Sequence, residues 1–431
     1  MKGRIVFSIT WLNCFLACAA LAVAAEWPAF RGPKGNGVSN AKNVPTEWGP
    51  DKNILWKTRL PQPGNSSPVV SRGRVFLTCA EDPEGKGRSL YCFDGDSGKQ
   101  LWVQTVQVAE AMPTHKTNPY CAATPAADGQ RVVAWHASGG LHCYDYDGNK
   151  LWSADLGEIR HWWGYASSPV IYKDRVILQR APGKGAALMA IDLASGETLW
   201  STEEEVAGDG ERRSTDRGYV GTWSTPVIAQ VDGEDQILCS MTTRLVAYDP
   251  DDGQILWYCQ GISGPKGDLA YSSPMWRGDM AYVISGFNGP SFATYMGDSG
   301  DITETHRLWW QESGPQNIGS GVFRGNHVYI AHTQPGIIEC IHVPTGKSKW
   351  KSRAAGGEHW SSVIFVDGLC YVTNQNGETV VFRPNPSEYE EVAVNPLGES
   401  SNSTPAPVDG RIYIRTFEHL YCIGPDETVT R

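Results

Sequence analysis

Apolar and polar positions along this chain recur in a phrase rather than with a helical period. Two small polar residues lead into Pro, an apolar pair and a turn, and an alternating strand follows. The phrase stands at Ser66-Ser67-Pro68-Val69-Val70, Ala123-Thr124-Pro125, Ser167-Ser168-Pro169-Val170-Ile171, Ser224-Thr225-Pro226-Val227-Ile228, Ser272-Ser273-Pro274-Met275 and Ser403-Thr404-Pro405. Gly319-Ser320-Gly321-Val322 and Ser361-Ser362-Val363-Ile364 are degenerate copies that fill the remaining gap, making eight. A fixed-period repeat of this kind marks an array of supersecondary units.

A second phrase follows at a fixed remove. Cys92-Phe93-Asp94 leads through Gly98 to Leu101-Trp102, and Cys143-Tyr144-Asp145 through Gly148 to Leu151-Trp152. Ala190-Ile191-Asp192 leads through Gly196 to Leu199-Trp200, and Ala247-Tyr248-Asp249 through Gly253 to Leu256-Trp257. The fifth copy is stretched before Trp309, the sixth runs through Thr345-Gly346 to Trp350, and the seventh is eroded around Pro384 to Tyr389. Each unit therefore reads as four short strands with Gly-rich turns, the pattern of a propeller blade. The eighth unit stops after Leu420-Tyr421-Cys422, while Asn53-Ile54-Leu55-Trp56 carries the missing ending at the other terminus. The expected fold is all-β: an eight-bladed β-propeller of four-stranded antiparallel blades, closed by an N-terminal strand. Closure removes the sheet edges that an open array would expose. About 51 residues per blade is an ordinary figure, so residues 54–431 form one domain, with 26–53 as an N-terminal extension.

These phrases resemble the PQQ-type repeat, Ala-x-Asp-x-x-Thr-Gly-x-x-x-Trp, across nearly all of residues 54–424. The resemblance implies the eight-bladed fold of the quinoprotein alcohol dehydrogenase-like family, and a structural role for its Trp residues in docking neighbouring blades. Trp56, Trp102, Trp152, Trp200, Trp257, Trp309 and Trp350 take that role here. The opening Trp27-Pro28-Ala29-Phe30-Arg31-Gly32-Pro33, with Gly35 and Gly37, is similar to the start of many secreted bacterial members.

Lys2 and Arg4, an apolar stretch from Ile5 to Val23 and the small-residue end Ala22-Val23-Ala24-Ala25 predict a secretory signal peptide cleaved before Glu26. An uncleaved anchor and a lipid-attached Cys18 are the alternatives. Export to the periplasm or the cell exterior follows, with no transmembrane segment after cleavage. The 41% apolar and 19% charged residues argue against disorder. A net charge of −10 argues against a nucleic-acid partner, since phosphate binding needs a basic footprint. A monomer is expected.

Nine cysteines follow residue 25. Cys92, Cys143, Cys340 and Cys422 stand where other repeats have Ala190 and Ala247, which suits a small apolar role. Cys79 and Cys92 could pair across adjacent strands of the first blade. The Asp-rich stretches 94–98 and 249–253 look like calcium loops, but they coincide with the turn before the fourth strand and read as turns. Asn65 and Asn402 sit in glycosylation sequons at the start of inner strands.

Strands alternate in direction, so long connections (107–120, 157–165, 204–222, 261–270, with 80–88 and 285–291 inside blades) emerge on one face. Function concentrates on variable loops held by a rigid scaffold. Around the channel mouth on that face the sequence places Asn65, Arg160, His161, Trp163, Tyr165, Arg217, Trp223, Tyr271, His359, Trp360 and Asn402. Converging aromatic and polar groups suit a ligand pocket, or a plug that stabilises the ring. His115, His161 and His359 share the face and could hold a metal, although the expectation is no metal site. No catalytic constellation stands out, so the first reading is an exported, non-catalytic binding or scaffolding module acting through the long-loop face on a protein, small ligand or polymer.

The resemblance implies an alternative, a PQQ-dependent dehydrogenase with PQQ in the channel mouth under a vicinal disulfide and calcium held by Glu, Asn and Asp. No adjacent cysteine pair exists here. The same fold serves as a non-catalytic partner platform in the outer-membrane barrel-assembly lipoprotein. Carbohydrate or polymer binding is a further alternative, because Tyr and Trp at a rim suit sugar faces.

Overall fold

The computed structural model describes residues 26–110 and 112–425. The signal-peptide expectation and Cys18 lie outside them. Eight blades of four antiparallel strands follow one another along the chain, the fourth of them extended by a fifth, parallel strand. The first blade is Val69–Ser71, Arg74–Ala80, Gly87–Asp94 and Gln100–Gln107. The eighth is Ala406–Val408, Arg411–Arg415 and His419–Ile423, completed by Ile54–Arg59 from the N-terminal side. Trp56 lies opposite Cys422 and Lys57 opposite Tyr421, so the ring closes as its repeats require. Inner strands are buried on both sides, as Val69–Ser71 is, because each blade packs between two others. Outer strands such as Gln100–Gln107 keep partly exposed residues. The apolar clusters accordingly span neighbouring blades, as where Val133 and Cys143 meet Val176 and Met189.

Register explains the second phrase. Cys92 pairs with Trp102, Cys143 with Trp152, Ala190 with Trp200, Ala247 with Trp257, Ala293 with Trp309 and Cys340 with Trp350. A bulge follows that pair in each of these blades and turns the indole toward the next blade. There Trp56, Trp102, Trp152, Trp200, Trp309 and Trp350 donate Nε1–H to the carbonyls of Gly95, Tyr146, Leu193, Pro250, Val343 and Asn385, at 2.6–3.1 Å. The turn glycine lies under the ring. A Cβ on Gly98 (φ +69°) would sit 2.4 Å from the Trp56 ring, and one on Gly253 (φ +73°) 2.4 Å from that of Trp200.

Trp257 departs from the expected role. It bonds Gln236 Oε1 of its own blade at 2.8 Å. The stretched connection of the fifth blade explains this: its segment Gly300–Asp301 lies parallel along Ile255–Gln260, with Gly300 opposite Trp257. The indole is sealed at 0% exposure by that insertion. In the seventh blade Ala393 takes the Trp position.

The second small polar residue of each copy of the first phrase builds a second ring around the axis. The backbone N–H of Ser67 donates to Thr124 Oγ1, Thr124 to Ser168 Oγ, Ser168 to Thr225 Oγ1, Ser273 to Ser320 Oγ, Ser320 to Ser362 Oγ, Ser362 to Thr404 Oγ1 and Thr404 to Ser67 Oγ, all within 2.9–3.1 Å. These bonds satisfy buried backbone donors at the narrowest part of the wheel. Between the fourth and fifth blades a parallel pair, Tyr219–Thr222 with Gly267–Ala270, makes the connection instead.

Residues 27–37 cross the channel below the hydroxyl ring, and 42–48 run on along the seventh and eighth blades. Trp27 exchanges both backbone bonds with Val70 at 2.9 Å, Pro28 O accepts from Ala127, and Phe365 donates to Gly37 O at 2.7 Å. Arg31 is 1% exposed and donates to Gly321 O. Burial pulls its guanidinium down to about 9. All nine described cysteines are free and buried. Cys79 lies opposite Ser89 and Cys92 opposite Phe76, so the possible Cys79–Cys92 pair does not form. The calcium-like stretches are turns closed on themselves: Asp94 Oδ1 accepts from the N–H and Oγ of Ser97, and Asp249 Oδ1 from the N–H of Asp251.

Candidate functional site at the channel mouth

On the long-loop face the channel opens into a cavity of about 440 Å³, within the range of small-ligand sites. The hydroxyl ring and Phe30 of the N-terminal extension line it from below. One wall carries the rings of Trp163, Trp223, Tyr271 and Phe287, and Trp360 lies with the polar groups of the rim. The other wall carries the amides of Asn65, Asn402, Gln316 and Gln334, with Thr117, His115 and Glu358, and Asn118 joins the two walls through its bond to Trp163 O.

Trp163 is the hub of the aromatic wall. Its centroid lies 4.5 Å from Tyr219, 5.5 Å from Phe287, 5.6 Å from Trp223 and 6.3 Å from Tyr271. Trp223 is pinned by its Nε1–H to Gly164 O at 2.9 Å. Tyr219 backs Trp163 from behind, and the Arg212 guanidinium covers Tyr219 at 3.4 Å from the ring centre.

His161 explains how Trp163 is held. Its Nε2–H donates to Val220 O at 2.9 Å, and its Nδ1 accepts the backbone N–H of Trp163 at 3.1 Å. Both ring nitrogens are used by a neutral imidazole, which stands edge-on to Trp223 at 4.9 Å. Burial lowers its pKa to about 4. Asn118 adds a second hold through Nδ2, which donates to Trp163 O at 2.7 Å and Tyr165 O at 3.2 Å. The amides are linked: Asn65 Nδ2 donates to Asn118 Oδ1 at 3.0 Å and to Thr117 O at 3.1 Å, and Asn402 Nδ2 to Asn65 Oδ1 at 3.1 Å. Gln334 Nε2 donates to Glu358 Oε1 at 2.8 Å.

Of the residues singled out in the sequence, Asn65, Trp163, Trp223, Tyr271, Trp360 and Asn402 line the cavity. His161 and Tyr165 lie behind its wall, at 2% and 5% exposure. His359 is fully buried below the rim, and burial lowers its pKa to about 4. Arg160 reaches outward toward Glu158, and Arg217, at φ +60°, offers its carbonyl to Arg212. His115 bonds Thr117 Oγ1 at 2.7 Å, so the three histidines do not gather. The group of three whose ligand atoms do converge among the described residues is Glu399, Glu418 and His419, away from the mouth. Sequence reasoning passed over Phe30, Asn118, Gln316, Gln334 and Glu358. Phe287 sits in the 285–291 connection that its length had marked.

The family described as outer membrane protein assembly factor BamB matches this sequence over residues 39–158 and 86–352. The chain belongs to this family of PQQ-like propellers. No curated protein matches it in sequence. Among solved structures, this family member is similar to BamB from Moraxella catarrhalis, with 15% identity, a TM-score of 0.58, and coverage of 86% of this chain and 99% of the other. It is similar to the quinohemoprotein alcohol dehydrogenase from Comamonas testosteroni, with 13% identity, a TM-score of 0.65, and coverage of 93% and 80%. The computationally designed Ika8 protein matches at 11% identity and a TM-score of 0.59, covering 86% and 99%. At these identities the likeness is one of fold.

The fold family raises PQQ and calcium as occupants. PQQ carries three carboxylates, which call for charge-assisted partners, and no Lys or Arg stands among the residues lining this cavity. Calcium favours several oxygen ligands, commonly carboxylates, and Glu358 is the one carboxylate of the lining. The donor set does not fit a calcium-bound tricarboxylate.

Proposed function

We propose that this BamB-family propeller is an exported, non-catalytic binding module whose recognition site is the cavity at the channel mouth. The observation that supports this reading most is the pairing of the two walls, a rigid aromatic surface opposite a linked set of amides. Both are held by backbone bonds, so little ordering remains to be done on binding. Such a surface discriminates by shape and hydrogen-bond direction and needs no chemistry of its own. The signal-like N-terminus supports export, and among the described residues no helix is long and apolar enough to cross a membrane.

The test compares residues 26–431 with a variant carrying Trp163→Ala and Trp360→Ala, both immobilised and exposed to an envelope extract of the producing cell. The wild-type chain should retain a species, small or large, at least about tenfold better than the variant. Equal retention would sink the reading. So would substrate-dependent dye reduction by the purified protein supplied with PQQ and calcium.

A further inference from the structure

Resting on the reading above, we infer that the occupant of the mouth cavity is a neutral carbohydrate of about disaccharide size. Three features of the lining converge on that class. The first is an aromatic platform: Trp163, Trp223, Tyr271 and Phe287 offer flat apolar faces within one wall. The axial C–H faces of a pyranose pack on such rings, which combine an apolar body with a polar edge.

The second feature is the opposite wall. Asn65, Asn118 and Asn402 stand in hydrogen-bonded series there, their N–H groups spent on one another and on the carbonyls of Thr117, Trp163 and Tyr165, so what they offer a sugar hydroxyl is the remaining lone pairs of their amide oxygens. Glu358, held by Gln334, adds an acceptor of the kind that takes two adjacent hydroxyls.

The third feature is charge. With no Lys or Arg in the lining, one carboxylate, and His115 as its one basic side chain, an acidic ligand would find little counter-charge and lose its hydration, which is expensive. Arg31 lies beneath the floor and bonds Gly321 O, and Lys266 Nζ stands 5.7 Å from the Phe287 ring centre without entering the lining. A cationic ligand would meet Glu358 alone. A neutral, hydroxyl-rich ligand with one apolar face satisfies all three surfaces together. The rejection of acidic sugars is as much a part of the inference as the acceptance of neutral ones.

The experiment follows the tryptophan fluorescence of residues 26–431 during titration with cellobiose, maltose and chitobiose. Digalacturonate, and PQQ with calcium, serve as acidic comparisons. At least one neutral disaccharide should bind with a Kd at or below about 1 mM, the weak end of single-site recognition. Digalacturonate should bind at least about tenfold more weakly. Trp163→Ala should weaken the neutral sugar about tenfold or more, Trp163→Phe less, and Trp310→Ala on the outer rim not at all. Should Trp163→Ala fail to fold by circular dichroism, Phe287→Ala is read in its place. The inference is overturned if no neutral disaccharide binds the folded protein up to about 10 mM, or if the acidic probes bind as tightly. If the extract experiment still shows retention that depends on Trp163 and Trp360 while the sugars fail, the sugar assignment falls and the binding reading stands.

Discussion

At the scale of single residues, the imidazoles behind the mouth are the most informative side chains. His161 and His359 are both buried, and desolvation holds each neutral down to about 4. His136, fully buried, is pushed well below the ordinary value for the same reason. In the unfolded chain such rings take up a proton near about 6.5. Between those values the unfolded state binds more protons than the folded one, so stability rises with pH across the window. The contribution is complete above about 6.5 and is lost as the pH falls toward 4. We expect urea midpoints measured from pH 7 down to pH 4.5 to fall in that interval. His359→Leu should flatten the fall, because burial outweighs the weak backbone contact with His332 in setting this ring's pKa. An unchanged acid limb in this variant would show that His359 does not titrate against burial. The same variant should leave the mouth rings in place, since His359 lies below them, whereas His161 could not be removed without freeing the Trp163 backbone.

At the scale of elements, the junction between the fourth and fifth blades differs in kind. Elsewhere a tryptophan or an inner hydroxyl carries the connection. Here Trp257 stays within its own blade, and the parallel pair of Tyr219–Thr222 with Gly267–Ala270 bridges instead, helped by the Trp223 N–H to Ala270 O at 2.8 Å. Gly267 has φ +155°, and a Cβ on it would lie 2.1 Å from Tyr219 O. Gly267→Ala should therefore part the pair, cost about 2 kcal/mol in urea unfolding, and shift the emission of Trp163, which leans on Tyr219. Wild-type stability with unshifted emission would mean that the pair carries nothing. This junction also marks the limit of what the repeat reveals. The eight blades and the closing strand were legible because every copy states its own strands, and the stretched fifth copy already pointed to Trp309. Trp257 carries the same phrase as its neighbours, and only the insertion lying over it changes its partner. The mouth was legible where it follows from position, as for Asn65, Trp223, Tyr271 and Asn402, each just ahead of an inner strand. Gln316, Gln334 and Glu358 lie in connections without a repeat to align them, and Phe30 arrives from an extension that the period does not describe. Arg160 and Arg217 share loops with Trp163 and Trp223, but no pattern in sequence tells which side of a loop faces the channel.

At the scale of the whole molecule, the N-terminal residues do two separable things, and the separation can be measured. Ile54–Arg59 supplies the outer strand of the eighth blade, and Trp56 ties that blade to the first through Gly95. Residues 26–44 add no strand to any blade; they line the channel and place Phe30 beneath the cavity. A chain beginning at residue 60 should lose the edge cover of His419–Ile423 and the contact across the seam together. An open ring with an unpaired strand edge is a template for association, so this chain should aggregate or unfold without a single cooperative transition. A chain beginning at residue 45 keeps the seam and should still fold to one sharp transition. Its midpoint should be lower, because the buried Trp27 and its backbone bonds to Val70 are gone. Its cavity would be open below, without the Phe30 floor, and any ligand of the mouth should bind it more weakly than it binds the chain from residue 26. Calorimetry and size-exclusion chromatography on the three chains distinguish these outcomes. If the chain from residue 60 melts as sharply as the chain from residue 26, the ring does not depend on its N-terminal strand. If the chain from residue 45 binds as tightly as the longer one, the extension has no part in the site.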